Sequence, residues 1–436
     1  MAILRLLFAG IFFSSLFSVS AQDYIKEAVN TKTDKSVIRC VDSTRRLVYN
    51  EGYIKPAFMM FTDASTTTQD LYLPDNNYSV SDFIVRDNMV YFCGKKKDPS
   101  TNIEKAIMGH FDLTNFPSTT VYYYTHEQFS EFRKIESYIV YSASESEFHI
   151  VMTARNSAGR WTMVDSYELP YNRWGFYSIS IPTDSLNGHS FLDIAVTDSY
   201  VLATSSYPNI NQITYLWYFI KPTVFQSNAF SVEIKRRKLS KSPKTGSYSA
   251  LVGDFENNRY ITTFITDPVF NNNNKVMIEG FNGIISSGQL IISSPQGLYP
   301  REIRKNHDSH EMDILLYSKS TSSCYFFHLP QPTYFGWGSG FFDAQKYSAQ
   351  NILSFDYLGS MSDCFIASGY GDVLKLYKYK YDNSGICAPL ESVDTQFAGY
   401  SHNICFQEFV TSQWYYYRTL LPTTTGTSSI GTTCGQ

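Results

Sequence analysis

An eleven-residue pattern occurs twice in this chain without an insertion or a deletion. The copies are residues 82–92 (DFIVRDNMVYF) and 193–203 (DIAVTDSYVLA). Each copy passes from apolar residues through a polar pair, Asp87-Asn88 or Asp198-Ser199, and returns to apolar residues. Two apolar segments around a short polar turn predict a β-hairpin.

The spacing of such hairpins predicts a repeating architecture. The two copies lie 111 residues apart, and further hairpin patterns continue the series along the chain. We take as equivalent strand centres Tyr91, Ile150, Leu202, Ile261, Leu315 and Ile366. The steps between them are 59, 52, 59, 54 and 51 residues. Units of about 40–50 residues, each with four strands, are typical of β-propellers.

At the level of architecture, residues 36–420 therefore resemble a secreted β-propeller. The chain lacks the Trp-Asp pattern of WD repeats and the Gly-Gly pattern of kelch repeats, so the resemblance indicates no named family. We predict an all-β propeller of seven blades, with six or eight as alternatives. Two stacked β-sandwiches are another all-β arrangement that fits the strand spacing.

The seventh blade is predicted to combine strands from near both termini of the chain, because a closed ring leaves no exposed sheet edge. One contribution is a hairpin formed by residues 404–410 and 414–420. The other is a pair of strands at residues 36–41 and 47–61.

The first residues have the features of a secretory signal peptide. Arg5 supplies the positive charge, Leu6–Phe17 the apolar region and Val19–Ala21 a small-residue cleavage site. We expect residues 1–21 to be the signal peptide, 22–420 the propeller domain and 421–436 a flexible Thr/Ser/Gly-rich tail. The protein is then exported, to the periplasm, the cell surface or the extracellular space. No transmembrane segment is predicted in the mature chain, because no later stretch has the ~18 apolar residues a spanning helix needs.

The composition fits strands and excludes two partner classes. Aromatic residues make up 16% of the chain and charged residues 17%, while the net charge is −4 and the pI about 6.1. This balance gives no reason to expect binding to nucleic acid or to an anionic membrane. The basic run Lys235–Lys238 is interpreted as a solvated loop between units.

The sequence holds seven cysteines, a number that fits an oxidising compartment. Cys387 and Cys405 enclose a short loop and are a possible disulfide. Cys40 with Cys93 and Cys324 with Cys364 are further possibilities, because sequence does not fix connectivity.

Motifs for catalysis are absent from the sequence. There is no phosphate-binding loop and no dinucleotide fingerprint, and the glycines of residues 336–340 do not have the spacing of a hydrolase nucleophile elbow. His307 and His310 are weak candidates for a metal site in a segment that we interpret as a polar turn. Asp87 and Asp198 recur, but aspartate is favoured in turns for its local hydrogen bonds. We predict no catalytic residue, no metal and no cofactor.

Two aromatic, glycine-bearing segments are the candidate binding residues. Residues 171–177 and 334–338 are predicted to connect blades, and they contain Trp174, Tyr177, Tyr334 and Trp337. Exposed rings stack on sugars and anchor protein interfaces, whereas buried rings fill gaps between blades. We predict a secreted, non-catalytic propeller that recognises a glycan or protein partner through one face. The alternatives are a propeller-fold glycoside hydrolase or lyase acting on polysaccharide, and a structural module of an envelope complex. Neither the ligand nor the oligomeric state follows from the sequence.

Overall fold

A computed structural model describes most of the chain between residues 24 and 424. The described ranges are 24–29, 36–51, 55–62, 68–141, 146–169, 173–179, 190–206, 214–222, 234–239, 251–254, 259–266, 275–283, 285–293, 298–305, 312–318, 323–329, 342–347, 351–357, 364–370, 373–378, 394–397, 401–403, 405–410, 413–415 and 417–424. Every regular element in these ranges is a β-strand. They contain no helix that is long and apolar enough to cross a membrane.

Sheets 1, 2 and 3 are antiparallel, and each contains four strands in chain order. Sheet 1 is formed by β2 (Ser36–Cys40), β3 (Arg45–Asn50), β4 (Ala57–Thr62) and β5 (Gln69–Tyr72). Sheet 2 is formed by β6 (Tyr78–Arg86), β7 (Met89–Lys97), β8 (Glu104–Asp112) and β9 (Tyr122–His126). Sheet 3 is formed by β10 (Phe129–Tyr141), β11 (Ser146–Asn156), β12 (Trp161–Leu169) and β13 (Arg173–Ile179).

Sheets 4 and 5 repeat this order, and sheet 5 gains a fifth strand. Sheet 4 is formed by β14 (Ser190–Val196), β15 (Tyr200–Ser206), β16 (Thr214–Ile220) and β17 (Lys235–Lys238). Sheet 5 is formed by β18 (Leu251–Asp254), β19 (Arg259–Thr266), β20 (Lys275–Asn282), β21 (Ile285–Ser293) and β29 (Asp394–Phe397).

Sheets 6 and 7 take strands from distant parts of the chain. The first four strands of sheet 6 are β22 (Leu298–Lys305), β23 (Met312–Ser318), β24 (Ser323–Leu329) and β25 (Phe342–Tyr347). The strands that extend sheet 6 are β30 (Ser401–Asn403), β31 (Cys405–Val410), β32 (Gln413–Tyr415) and β33 (Tyr417–Thr424). Sheet 7 is formed by β26 (Asn351–Tyr357), β27 (Cys364–Tyr370), β28 (Val373–Lys378) and β1 (Tyr24–Val29).

The seven sheets form a closed ring. The first strands of the sheets, β2, β6, β10, β14, β18, β22 and β26, contact one another in this order, and β26 contacts β2. Buried apolar clusters join sheet 1 to sheet 2, sheet 2 to sheet 3, sheet 3 to sheet 4 and sheet 4 to sheet 5. The all-β propeller fold predicted from the sequence is confirmed, with seven sheets among the described residues.

The predicted strand centres are equivalent in the structure. All six lie in the second strand of their sheets, which are β7, β11, β15, β19, β23 and β27. The first hairpin turns at Asp87 (φ 48°) and Asn88 (φ 63°), the two positive values of a type I′ turn. Strand spacing was predictable because alternation and turn residues are local signals.

The predicted composition of the closing sheet is wrong. The described strands of residues 36–41 and 47–61, β2, β3 and β4, belong to sheet 1, while β31 pairs with β25 in sheet 6. Sheet 7 is closed instead by β1, which pairs with β28 from Tyr24↔Tyr377 to Val29↔Val373. Apolar alternation identifies a strand but does not identify its partner, so the sequence pattern could not select β1.

Two smaller predictions are also wrong. Lys235–Lys238 is not a loop but β17, which pairs with β16, and Arg236 lies over the rings of Tyr215 and Trp217 at 5.2 and 5.8 Å. Cations are common on edge strands because they oppose pairing with another chain. The possible Cys40–Cys93 disulfide does not form, since both thiols are free and buried.

Candidate functional site

A cavity of about 690 Å³ lies where the seven first strands meet, and we call it the central pocket. Each first strand contributes to its wall. The wall carries five cations and six carboxylic acids, namely Arg39, Arg86, Lys134, Arg301, Arg304, Asp82, Asp87, Glu136, Asp193, Glu302 and Asp356. Charged side chains are rarely buried without partners, so their contacts define the site.

Backbone irregularities aim three of the acids into the pocket. The strand register shifts immediately before each acid, between Val80 and Asp82, Phe191 and Asp193, and Pro300 and Glu302. A β-bulge of this kind redirects the side chain that follows it. Both copies of the eleven-residue pattern therefore begin at a bulge with an aspartate that faces the ring axis.

Sequence reasoning missed these acids because it examined the turn aspartates, Asp87 and Asp198, instead of the strand aspartates. The available signal was a charged residue at the first position of both copies, in strands that are otherwise mostly apolar. Asp82 and Asp193 are the residues that the structure brings together.

Arg39 of β2 connects three strands of the ring. Its Nη2 lies 2.6 Å from Asp82 Oδ1 and its Nη1 lies 3.3 Å from Glu302 Oε1. It also donates to the carbonyl oxygens of Phe83 and Ile38 at 3.0 and 2.7 Å. Charge-assisted hydrogen bonds at these distances are among the strongest in proteins, so this arginine holds adjacent first strands together.

Other acids join neighbouring first strands of the ring, mostly by accepting hydrogen bonds from backbone N–H groups. Glu302 Oε2 accepts hydrogen bonds from Ser354 Oγ at 2.8 Å and from the Phe355 N–H at 3.1 Å. Asp356 Oδ2 accepts from the Cys40 N–H at 2.8 Å, and Asp193 Oδ2 accepts from the Val252 N–H at 3.1 Å. Each acid satisfies an amide of the next first strand, so these groups close the ring as well as lining the pocket.

Sheet 5 contributes a glycine instead of a charge to this part of the wall. A Cβ atom on Gly253 would lie 2.7 Å from Ile303 Cγ2 and 2.9 Å from Met312 Sδ. These separations are too short for carbon and sulfur in contact, so the close approach of β18 to sheet 6 requires glycine here.

Lys134 lies between the two aspartates of the repeated pattern. Its Nζ is 3.6 Å from Asp82 Oδ2 and 3.9 Å from Asp193 Oδ1. Burial acts to lower the pKa of Lys134, but Asp82, Asp193 and Glu302 outweigh it and the pKa is raised. The lysine is therefore charged at neutral pH.

The two aspartates have pKa values that shift in opposite directions. Burial acts to raise the pKa of Asp82, but Lys134, Arg39 and Arg304 outweigh it and the pKa is lowered from 3.8. Burial raises the pKa of Asp193 to about 6, and the attraction of Lys134 only partly opposes this effect. Asp82 is thus fully ionised at neutral pH, whereas Asp193 takes up a proton in mildly acidic solution.

The pocket reaches the surface beside the first hairpin turn. Residues 86–88 line its outer part and are exposed. Arg86 Nε donates to Ser137 Oγ at 3.2 Å, and Arg86 Nη2 lies 4.0 Å from Glu136 Oε2. The pocket thus opens on the side of the turns between first and second strands. The binding candidates predicted from the sequence were expected instead in connections between blades.

The pocket can form many hydrogen bonds but offers no ring for stacking. None of its described lining residues is aromatic. No group of three or more potential metal ligands occurs in the part of the chain that the structure describes. The arrangement is suited to a ligand that both donates and accepts hydrogen bonds.

Trp174 does not have the exposure expected of a binding residue. It lies in β13, the fourth strand of sheet 3, so the prediction that residues 171–177 form a connection between blades is wrong for residues 173–177. Only 8% of Trp174 is exposed, and its ring centroid lies 6.0 Å from Tyr91 and 6.3 Å from Phe148. Packing between sheets 2 and 3 accounts for this tryptophan, and its burial removes support for a binding role.

The side chains of the remaining candidates lie outside the described part of the structure. Tyr177 lies in β13 and Cys405 in β31, with their side chains outside the described part of the structure. Also outside the described residues are Tyr334, Trp337, His307, His310 and Cys387. Their predicted roles stay predictions.

A second buried polar cluster lies inside sheet 3, away from the pocket lining. Asp165 Oδ2 accepts hydrogen bonds from the Tyr138 hydroxyl at 2.7 Å and from His149 Nδ1 at 3.0 Å. Burial acts to lower the pKa of His149, but Asp165 and Glu147 outweigh it and the pKa is raised. Asp165 is 0% exposed and Tyr138 packs in the core between sheets 3 and 4, so this cluster supports packing.

Comparisons with known proteins agree with the fold. No family model matches the chain, and no curated protein matches it. Drosophila Semaphorin 2a is 10% identical with a TM-score of 0.50, and the match covers 84% of this chain and 78% of that one. The extracellular domains 1–2 of Drosophila Semaphorin 1b are 10% identical with a TM-score of 0.45, covering 83% and 88%. The β-propeller domain of the Trilobed protease from Pyrococcus furiosus is 8% identical with a TM-score of 0.30, covering 68% and 92%. At this identity the likeness to Semaphorin 2a concerns the fold alone, and it agrees with the β-propeller that the closed ring of sheets forms.

Proposed function

We propose that this protein is an exported, non-catalytic binding propeller that recognises a glycan or protein partner through the face on which the central pocket opens. The observation that carries the proposal is the pocket itself. Its volume of about 690 Å³ is typical of ligand sites, and its wall is built by all seven first strands, six of which contribute charged side chains.

Rigidity of the wall supports a binding role. The carboxylates of Asp193, Glu302 and Asp356 accept hydrogen bonds from backbone amides of neighbouring strands. Groups that are fixed before a ligand arrives lose little conformational entropy on binding, which favours affinity. The fold keeps these donors and acceptors in place without a partner.

The test is a glycan array and a pull-down with the mature protein, residues 22–436, and with a variant at the pocket mouth. Arg86→Glu reverses an exposed charge at the mouth and is expected to reduce retention of the partner at least tenfold. Tyr72→Ala is the control, because Tyr72 is 54% exposed on β5, the last strand of sheet 1. No retained glycan or protein, or equal retention by wild type and Arg86→Glu, would contradict the proposal.

A polysaccharide hydrolase or lyase is the second candidate, favoured by the convergence of two acids. Asp82 and Asp193 approach Lys134 from two sides, and their pKa values are shifted apart. Glycosidases use carboxyl pairs whose pKa values differ in this way. Release of reducing or unsaturated sugar ends from polysaccharides by wild type, abolished in both Asp82→Asn and Asp193→Asn, would establish this function instead.

The non-catalytic proposal is preferred because both acids already have partners. Asp82 binds Arg39 and the Phe83 N–H, at 2.6 and 2.9 Å. Asp193 is held by the Val252 N–H. The ring-closing role explains these contacts without a reaction.

A further inference from the structure

We infer that the pocket holds a neutral, hydroxyl-rich ligand, the terminal sugar of an uncharged glycan, through Lys134 and Asp193 acting as a pair. The inference rests on the proposed binding function and deepens it by naming the ligand class. It follows from hydrogen-bonding capacity, charge balance and shape.

Hydrogen-bonding capacity is concentrated at Lys134. Its Nζ forms no hydrogen bond with the described residues, since its nearest carboxylate oxygens are 3.6 and 3.9 Å away. The side chain is 24% exposed, whereas two less exposed cations of the pocket have close oxygen partners: Arg39 donates to four oxygen atoms, and Arg304 lies 2.6 Å from Glu302 Oε1. The three N–H donors of the Lys134 ammonium therefore have no hydrogen-bonded acceptor among the described residues.

Asp193 supplies the complementary acceptor. Its Oδ2 accepts from the Val252 N–H, while its Oδ1 lies towards Lys134. Among the described residues no arginine forms an ion pair with Asp193, in contrast to Asp82 and Glu302. A hydroxyl group both donates and accepts, so neighbouring hydroxyls of one sugar can accept from Lys134 and donate to Asp193.

The charge balance of the wall favours an uncharged ligand. Five cations and six carboxylic acids line the pocket. Asp193, whose pKa is raised to about 6, loses its negative charge at a higher pH than an ordinary aspartate. The near balance of these charges leaves the wall no large net charge that would attract a charged ligand over a neutral one. A neutral sugar adds hydrogen bonds without adding charge.

The lining of the site favours contacts with the edge of a sugar ring rather than with its face. The described lining residues contain no aromatic ring, so none of them offers a stacking partner to a sugar face. Polar side chains instead surround the ligand edge, where hydroxyls project. The volume of about 690 Å³ leaves room for a sugar residue with bridging water.

The test is a binding measurement by calorimetry on the full mature chain with three defined probe sets. These are neutral hexose oligosaccharides, oligosaccharides ending in a uronic acid, and oligosaccharides ending in an unacetylated amino sugar. The neutral set is expected to bind at least tenfold more tightly than either charged set. Stronger binding of a charged set would overturn the inference.

Two variants test the pair of residues. Asp193→Asn changes the hydrogen-bonding pattern while its amide oxygen still accepts from the Val252 N–H, and it is expected to weaken sugar binding at least tenfold. Lys134→Met removes the donors and is expected to abolish binding. Because Lys134→Met also removes the cation that lies next to two buried acids, the conclusion rests on Asp193→Asn if Lys134→Met fails to fold.

The matched control is Asp198→Asn, the same substitution in the turn of the same pattern copy. It is expected to bind like wild type, because Asp198 is exposed and does not line the pocket. Wild-type affinity in Asp193→Asn would overturn the inference. Retention of a protein partner without any sugar binding would also overturn it while leaving the proposed function intact. Retention of no partner at all would contradict both.

Discussion

The two copies of the repeated pattern form the same local structure but differ in their electrostatics. In both, a β-bulge places the initial aspartate in the pocket, and a hairpin follows. Asp82 Oδ1 lies 2.6 Å from the Arg39 guanidinium, whereas Asp193 Oδ1 has Lys134 at 3.9 Å. The pKa of Asp82 is lowered, and the pKa of Asp193 is raised to about 6.

The difference originates in the cations around each acid: Lys134, Arg39 and Arg304 act on Asp82, whereas Lys134 is the cation that acts on Asp193. The first strand before Asp82 supplies an arginine, and the first strand before Asp193 supplies a lysine that is shared with Asp82. Local sequence therefore determines where an acid lies, while burial and cations from other strands of the ring set its pKa. We expect Asp82 to act mainly in stability and Asp193 to be available for binding.

The largest effect is expected when Arg39 is replaced by methionine. The substitution removes the nearest cation from Asp82, which keeps only Lys134 at 3.6 Å, while Glu302 keeps Arg304 at 2.6 Å; the free energy of unfolding should fall by about 3–5 kcal/mol. Urea unfolding at pH 7 measures it. Arg45→Met is the control, because Arg45 lies 2.6 Å from Asp42 in a partly exposed pair worth about 1 kcal/mol or less. Equal losses in the two variants would contradict the assignment of Arg39 to ring closure.

The next largest effect is expected when the same Asp→Asn substitution is compared at the two aspartates. Asp82→Asn removes charge-assisted hydrogen bonding to Arg39 and should cost about 2–3 kcal/mol at pH 7. Asp193→Asn should change stability by less than about 1 kcal/mol, because its amide oxygen still accepts from the Val252 N–H. The same urea titrations measure both variants. A greater loss in Asp193→Asn would reverse the proposed division of roles.

As the pH rises, the two aspartates are expected to change the stability of the protein in opposite directions. Because the folded-state pKa of Asp193 is above its usual 3.8, the folded protein binds this proton more tightly than the unfolded chain. Its stabilising effect is present below pH 4 and is lost as the pH rises through about 6. Relative to Asp193→Asn, wild type should lose about 2 kcal/mol between pH 4 and pH 7.

Asp82 should show the opposite dependence. Its lowered pKa contributes stability above pH 3.8, and this contribution is lost as the pH falls below that value. Unfolding titrations of wild type, Asp82→Asn and Asp193→Asn from pH 3 to pH 7 measure these contributions. Parallel curves for wild type and Asp193→Asn would show that Asp193 does not titrate abnormally.

The smallest effect is expected in the turns of the two hairpins. Asn88 has φ of 63°, where a β-branched residue is strained, so Asn88→Val should cost about 1–2 kcal/mol. Ser199 is not among the described residues with positive φ, and Ser199→Val should cost about 0.5 kcal/mol or less. Thermal unfolding midpoints measure the difference, and equal shifts would indicate that the turns are conformationally alike.

Much of the fold could be predicted because its signals are local. Apolar alternation around Asp87-Asn88 and the spacing of strand centres such as Leu202 and Ile366 identified one strand in each of six sheets. The site could not be predicted in this way. Asp82 and Asp193 converge only because ring closure brings their strands together, and no local pattern encodes the position of Arg39 or Lys134. Trp174 was misleading since aromatic composition does not distinguish exposed from buried rings.

The pairing of β1 with β28 has a consequence for how the chain acquires this structure. Tyr24 must find Tyr377, so the closing contact joins residues several hundred positions apart and raises the contact order of the whole domain. At a synthesis rate of about 5–20 residues per second, tens of seconds pass between the synthesis of β1 and that of its partner strand β28. During that interval β1 and its neighbours present unpaired backbone groups, which bind readily to other chains. Biogenesis of this propeller thus depends on keeping an early segment unpaired until a late one emerges.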